Sequence, residues 1–326
     1  MSTQSTPATH LPWQPGTVPL MLAPMQGLTN HGLRSLFCDW VRPEVVFTEF
    51  IRVRPGSKRP LSEVDRDEAS RHHQVIPLVV QLIGRDSEAL VAAAVAAQEL
   101  GAHHLNINLG CPYGRMTLGS AGGALLKDPV GLAERLTALR RVIRGSFSVK
   151  VRSGYDDPEQ IFKLVVLFEE CGVDYLVIHP RTVVQKYSGR ADHRITARLV
   201  AATRLPVIAN GDVTTAAEGL ALLADSGAAG LMLGRGAIRD PLLFQRLRGL
   251  APAEPARSER AAEIRYYISR LADNYRPIFR GDAQVLIKLK TVLAMLREDP
   301  DFSRPVRKML RCHDLAAMLE LLENLS

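Results

Sequence analysis

Residues 206–237, PVIANGDVTTAAEGLALLADSGAAGLMLGRGA, hold two short apolar runs, PVIANGDV and GLMLGRG, separated by an alanine- and leucine-rich segment. The runs have the length of strands. The segment between them has helical composition, and Gly227 suits the left-handed position that follows a helix. Strand, helix, strand in that order predicts two parallel strands joined by a crossover helix. Both runs end in a glycine-bearing turn leading into a helix N-terminus, where unpaired amide N–H groups and the helix dipole attract an anion. A phosphate suits that place, and Arg235 can add a charge-assisted bond; Gly234 and Gly236 equally suit a plain tight turn.

The same alternation extends back along the chain through PLMLAPM (19–25), VVFTEF (45–50), IPLVVQLIG (76–84), HLNINLGC (104–111), SVKVRSG (148–154) and YLVIHPRT (175–182). Helical segments such as SEALVAAAVAAQELGA and PEQIFKLVVLFEECGV stand between them, each ending near a glycine. Eight strand–helix units predict an α/β fold, a (β/α)8 TIM barrel over residues 19–250. The GxGxxG fingerprint of a doubly wound dinucleotide-binding sheet is absent from the sequence. Beyond Leu250 a linker, APAEPARSER, precedes helical segments, predicting a C-terminal all-helical domain over 251–326. Residues 1–18 are polar and proline-rich, lack the pattern of a secretory signal, and read as a flexible arm.

The 326 residues carry 41 Lys and Arg against 34 Asp and Glu, a net charge of +7 that favours a polyanionic partner without demanding one. With 46% hydrophobic and 23% charged residues, a disordered chain is excluded. The four cysteines lie far apart, with no CxxC pair and no zinc-like spacing, so a metal site is not expected and a reducing cytoplasm is. Apolar runs break long before the roughly 20 residues of a membrane helix. A soluble monomer is expected. Within residues 281–312 seven Lys and Arg, Lys288, Lys290 and Arg297 among them, face four acids; such a helix face is either solvated or a nucleic-acid contact.

Barrel enzymes assemble their sites at the C-terminal ends of the strands. Those ends carry Met25, Gln26, Glu49, Gln81, Asn106, Asn108, Cys111, Lys150, Arg152, His179, Arg181, Asn210, Asp212 and Arg235. One such residue caps a loop; eight polar strand ends on one rim point to an active site. The period of two places Lys150 and Arg152 on one side of their strand. A buried ammonium needs an anion or an electron-rich ring. Flavin mononucleotide (FMN) answers both needs, with its phosphate at the last two turns and its ring edge near Gln81, Asn210 and Ala23-Pro24-Met25.

APMQGLTN, TEFIRV, NINLGCP followed by GSAGGALLKDP, VKVRSGYDD, HPRT, VIANGDV and GRGA together resemble, in order and spacing, the tRNA-dihydrouridine synthases. The resemblance runs from residue 19 into the C-terminal helices. TEFIRV with Glu49, and the stretch holding Lys288, Lys290 and Arg297, is most similar to the C subgroup, whose target is uridine 16 of the tRNA D-loop. The resemblance implies an FMN barrel, NADPH as reductant and a helical domain that binds tRNA. It implies flavin contacts at Ala23, Pro24, Met25, Gln81, Lys150, His179, Asn210, Gly211, Asp212, Gly234 and Arg235. It makes Cys111 the proton donor, sets Asn108 beside the substrate ring, and assigns Tyr187, Arg181, Glu49, Lys288, Lys290 and Arg297 to the RNA substrate.

The chemistry gives these residue types a reason. Hydride arriving at C6 of uracil leaves enolate character at C5, which an acid on the opposite face must quench, and a thiol can do so. Cys38, Cys171 and Cys312 lie in helical patterns and read as packing residues. Family members carry a lysine two places after the GCP proline; here Gly114 stands there, and Arg115 offers the charge. Arg140, Arg141 and Arg144 are further candidates for RNA contact or for an outer barrel wall. Two alternatives remain: an FMN barrel acting on a free pyrimidine, similar to dihydroorotate dehydrogenase, and an RNA-binding barrel without catalysis.

Overall fold

The computed structural model describes residues 11–112 and 121–326; Gly114 and Arg115, singled out above, lie outside the described residues. Among the described residues nine strands form one parallel sheet: β1 (Leu20–Leu22), β2 (Val45–Phe47), β3 (Ile51–Arg52), β4 (Leu78–Ile83), β5 (His104–Leu109), β6 (Ser146–Arg152), β7 (Tyr175–His179), β8 (Val207–Asn210) and β9 (Gly230–Leu233). The order is β2-β1-β9-β8-β7-β6-β5-β4-β3, and a β2–β4 pairing closes eight of them into a ring. This is the TIM barrel that the alternation predicts.

The ninth strand, β3, was not expected. The run VVFTEF pairs only as far as Phe47, because the Thr48 hydroxyl accepts from the Gln81 N–H at 3.0 Å where a ladder carbonyl would stand. The chain swings out at Glu49-Phe50 and rejoins the sheet as β3, with Ile51 opposite Leu82. Other strands carry polar residues at or near the ends of their ladders, Asn108 in β5, Lys150 and Arg152 in β6, His179 in β7 and Asn210 in β8.

Helices fill the crossovers: α1 (His31–Trp40), α2 (Glu63–Ser70), α3 (Ser87–Glu99), α4 (Pro129–Val142), α5 (Gln160–Glu170), α6 (His193–Ala202), α7 (Ala216–Ser226) and α8 (Arg235–Arg239). Local sequence sets their ends. Asn30 caps α1 through the N–H groups of Gly32 and Leu33, Thr215 and Glu218 form a capping box on α7, and Gly227 ends α7 at φ 64°.

The barrel interior is layered. Its lower layers are apolar, built by Met21, Val45, Phe47, Val79, Val177 and Ile208 around Tyr175. Leu11 and Trp13 pack beneath, the Trp13 ring meeting Tyr175 edge-on at 4.9 Å. The arm expected over residues 1–18 is therefore packed at Leu11–Trp13, where an indole covers the barrel floor better than water can. Arg140, near the end of α4, pairs with Asp174 at 2.9 Å and donates to the Gly145 carbonyl. Asp174 precedes β7, so this corner faces the floor, away from the rim, and Arg140 belongs to the barrel wall rather than to RNA contact.

After α9 (Leu243–Leu247) the chain forms α10 (Arg257–Tyr275), α11 (Gly281–Leu296), α12 (Ser303–Arg311) and α13 (Leu315–Glu323). Among the described residues no helix is long and apolar enough to cross a membrane. These helices share one apolar core with α1 and the barrel wall: Phe37, with no exposed surface, sits 6.1 Å from both Phe244 and Tyr267. Truncating such a ring to alanine costs about 3–5 kcal/mol. Gly32 makes the approach possible, since a Cβ there would stand 2.6 Å from Ile278 Cδ1. The segment from 251 onward is thus docked on α1 through continuous packing, with Asn274 Nδ2 donating to the Gly32 carbonyl at 3.0 Å.

Candidate active site

The ends of β1, β6, β7, β8 and β9 enclose a cleft at the barrel mouth. Ala23, Pro24, Met25, Lys150, His179, Asn210, Gly211, Asp212, Gly234 and Arg235 all line it, together with Tyr187. Every predicted flavin contact except Gln81 is therefore in one place. Gly236, read above as a turn glycine, lines it too, as do Val213, Thr214, Met232 and Arg239, which were not singled out in the sequence. Met232 had a signal, because alternation with the flanking Leu231 and Leu233 turns it inward along the strand.

Lys150 is the cleft's most perturbed cation. Burial pushes its ammonium down to about 7, with Arg152 adding to the effect and Cys111 opposing it. Its Nζ donates to Asn210 Oδ1 at 2.8 Å, and Asn210 in turn donates to the Met232 carbonyl at 2.7 Å. Among the described residues no carboxylate pairs with Lys150, so an anion entering the cleft would complete it.

His179 is neutral. Burial and the cations Lys150, Arg152, Arg181 and Arg235 hold its imidazole down to about 2. Its Nε2 accepts from Arg181 at 3.0 Å, which leaves the ring proton on Nδ1. Arg181 is 2% exposed, and its guanidinium grips Asp212 at 2.7 and 3.0 Å and the Gly189 carbonyl at 2.6 Å. Arg181, expected at the substrate, fastens two rim loops together here, a task that its place two residues beyond β7 does not reveal in the sequence. Asp212 is held at φ 55°, and its other contacts are the Ala191 N–H at 2.7 Å and Arg235 at 3.5 Å. Gly211, at φ 128°, lies 3.1 Å (by its missing Cβ) from Ala191, so only glycine fits this turn.

Tyr187, exposed at the cleft, has the guanidinium of Arg235 5.0 Å and that of Arg152 5.4 Å from its ring centre. An anion-sized group meets a rim where Lys150 has no carboxylate partner among the described residues, Arg235 is held by Asp212 only at 3.5 Å while Asp212 is gripped by Arg181, and the first-turn amides of α8 are unbonded within the helix. A Cβ on Gly234 would stand inside this cleft, 3.7 Å from both Ala23 Cβ and Met25 Sδ. The residues present therefore fit a phosphate-bearing group whose flat part rests against Ala23 and Met25.

Cys111 follows β5 on the same rim, half-buried and within electrostatic reach of Lys150. Its backbone is held on two sides: its N–H donates to Asn108 Oδ1 at 2.9 Å, and its carbonyl accepts from Gly123 at 3.2 Å. Gly122, at φ 63°, lets the loop pass, since a Cβ there would stand 3.1 Å from Cys111 Cβ. Asn108 Nδ2 donates to Gln81 Oε1 (2.9 Å), Gln81 Nε2 to Asn106 Oδ1 (2.8 Å), and Asn106 Nδ2 to Ser148 Oγ (2.8 Å). Gln81 is thus engaged at both ends of its amide, beneath the cleft.

A second cleft adjoins the first. Gln26, Glu49, Phe50 and Lys288 line it, joining the rim to the helical segment. Burial pushes the Glu49 carboxyl up against the pull of a Gly27 N–H bond at 2.8 Å. Lys288 Nζ lies 5.1 Å from the Phe279 ring centre. Lys290 instead donates to the Cys312 carbonyl at 2.5 Å and closes α11 against α12, while Arg297 is exposed at the end of α11. On the wall of this cleft lies a group the sequence reading missed. Burial would raise the Glu68 carboxyl, yet bonds from His31 and Arg34 draw it to about 2. Arg34 also donates to the Thr29 carbonyl at 2.9 Å and braces the loop that carries Met25.

Residues 21–312 match the family described as "Dihydrouridine synthase (Dus)". The chain belongs to this family. The tRNA-dihydrouridine(16) synthase of Cupriavidus necator is 35% identical over 247 residues, 74% of this chain and 76% of the relative. That of Haemophilus influenzae is 34% identical over 248 residues, covering 72% of this chain and 78% of the relative. The tRNA-dihydrouridine synthase B of Pseudomonas putida is 31% identical over 236 residues, with 70% and 67% covered. Among solved structures, morphinone reductase superposes with a TM-score of 0.54 at 15% identity, over 74% of this chain and 88% of that one. At that identity the likeness speaks for the barrel alone, which this dihydrouridine synthase family member shares.

Proposed function

We propose that the chain reduces the C5–C6 bond of uridine 16 in the D-loop of tRNA, with FMN as its bound cofactor and NADPH as reductant. The observation that carries the reading is the meeting of Cys111 and Lys150 at one rim, beside a cleft that fits a phosphate-bearing group. Lys150, His179, Asn210, Gly211, Gly234 and Arg235 would hold the flavin. When bound, the flavin supplies the hydride that C6 of uracil receives.

The chain's own residues then have distinct tasks. Cys111 delivers its thiol proton to C5, and the resulting thiolate is stabilised by the Lys150 ammonium in electrostatic reach. Asn108 sets the acid's position by binding its backbone N–H, and Gln81 holds Asn108 in turn. The neutral imidazole of His179 offers an Nδ1–H donor over the pH range of the cell. Arg181 and Asp212 keep the cleft's loops in place. The helical segment 251–326 receives the tRNA, a role supported by Lys288 at the second cleft and by exposed Arg297. The names of the relatives from Cupriavidus necator and Haemophilus influenzae support position 16.

The test is to map dihydrouridine in tRNA from a strain lacking the chain, and in unmodified tRNA incubated with the purified protein, FMN and NADPH. Loss at position 16 in the strain and its appearance in the incubation are expected. Persistence of dihydrouridine 16 in the strain, or turnover of free uracil in place of tRNA, would sink the reading.

A further inference from the structure

We propose that the loop from Arg52 to Arg59 is a second grip on the tRNA, binding its phosphate backbone at a groove beside the cleft that the helical segment lines. This rests on the reading of the chain as a tRNA-modifying enzyme. The loop is built by β3. Pairing with β4 buries Ile51 (2% exposed) and Val53 (8%), and the period of two then turns Arg52 and Arg54 outward together. Leu61, 2% exposed, returns the chain to the core, so an exposed cationic stretch is pinned at both ends. Its sequence, RVRPGSKR over residues 52–59, holds four cations and no acid.

Arg52, Arg54 and Arg59 line one groove. Elsewhere several exposed arginines find acids, Arg71 with Asp67, Arg194 with Asp192, Arg198 with Glu159 and Arg276 with Asp273, and Arg66 and Arg204, in no ion pair among the described residues, are not gathered on one groove as these are. Among the described residues none of the cations from 52 to 59 is in an ion pair. The one acid on the groove, Asp65, accepts from Ser62 Oγ at 2.6 Å at the start of α2. Like charges gathered without counter-charges raise the local potential and select a polyanion.

Position selects which polyanion. Gln26 and Phe50 line this groove and also the second cleft, where Glu49 and Lys288 stand. The loop's arginines and the helical segment's lysine therefore flank the same strip of rim. A nucleotide chain lowering one base into the mouth would have backbone on either side of it, and each bank would meet phosphates. Arginine suits the task because its planar fork matches phosphate oxygens. Of the acids lining the neighbouring cleft, Asp67 is paired with Arg71 and Glu68 with Arg34, while Glu49 and Glu63 are in no ion pair among the described residues and bound the path of a polyanion there.

The experiment measures binding of an unmodified tRNA transcript to the full flavin-loaded chain by fluorescence anisotropy, between about 50 and about 200 mM salt. The Arg52→Gln, Arg54→Gln, Arg59→Gln triple variant is compared with the native chain. Three lost phosphate contacts lower the slope of log affinity against log salt by about 2–3, so the native chain's loss of affinity over that range exceeds the variant's roughly 20- to 40-fold. The matching triple Arg→Lys variant keeps most of the slope, since a phosphate bank reads charge. Unchanged slope and affinity in the glutamine triple, with native tRNA binding intact, overturns the proposal. So does an equal loss in the lysine triple, which would mark the arginines as structural. If the native chain neither binds tRNA nor forms dihydrouridine, the functional reading itself falls, a result distinct from either.

Discussion

Raising the pH from about 7 to about 9 is expected to weaken the binding of flavin mononucleotide to the flavin-free chain by about 50-fold, through Lys150 alone. Burial, and then Arg152, hold this ammonium near 7 in the open cleft, against an ordinary value of 10.5. An anion bound against it favours the charged form, so the complex keeps its proton to higher pH than the empty site does. Between those two values binding takes up a proton, and affinity must fall as pH rises. The empty site is half-protonated near pH 7 and only about one part in a hundred protonated at pH 9, which gives the 50-fold ratio, about 2.3 kcal/mol. Below 7 both states are charged and Lys150 contributes no slope. His179, held near 2, stays neutral throughout and adds nothing. Quenching of flavin fluorescence reads the affinity, and calorimetry in buffers of differing ionisation enthalpy counts the proton. Lys150→Met should bind more weakly, with no pH dependence over the same interval. A flat native profile, or a Lys150→Met variant that retains the slope, would refute the reasoning.

Cys111→Ala should lower dihydrouridine formation about 10²- to 10⁴-fold, the usual share of a general acid, while the flavin spectrum persists; a rate within twofold of native would remove Cys111 from that role. Arg181→Met takes from Asp212 its two-pronged partner, leaving it Arg235 at 3.5 Å, frees the Gly189 carbonyl as well, and should destabilise the fold by about 3–5 kcal/mol. With an unfolding entropy of about 2.1 cal/mol/K per residue over 326 residues, that lowers the melting temperature by roughly 4–7 °C in calorimetry. Glu68, drawn from 4.5 to about 2 in the fold, contributes stability that is complete above pH 4.5 and lost as the pH falls through 2. Urea midpoints measured across that interval should therefore drop less steeply for Glu68→Gln than for the native chain.

The barrel was legible because its signal is repeated: each strand is an apolar run closed by a polar residue, and the runs recur at the spacing a crossover helix needs. The lining of the cleft was legible for the same reason, since strand ends converge on one rim whatever the details of packing. What stayed hidden depends on partners distant in sequence. Arg181 sits at a rim position like its neighbours, and only the approach of Asp212, 31 residues on, turns it into a fastening. Lys290 lies in a basic stretch, yet a carbonyl 22 residues away takes its ammonium. Strand β3 escaped because two residues give no periodicity, and Thr48 ends its predecessor by a side-chain bond that composition does not announce. Trp13 was read with a polar arm whose composition says nothing of the Tyr175 ring above it.

The row of side-chain amides Asn108, Gln81 and Asn106, entered from the Cys111 backbone N–H and ending on the Ser148 hydroxyl, has a direction, each amide donating a hydrogen bond to the next and accepting one from behind. Exchange of any one of the three amides for hydrocarbon orphans a neighbour on both sides at once. Single substitutions within such a row therefore cost more than its replacement as a unit. Anyone recasting this barrel for a new substrate has to treat those side chains as a single gene-encoded part, to be copied intact or replaced together.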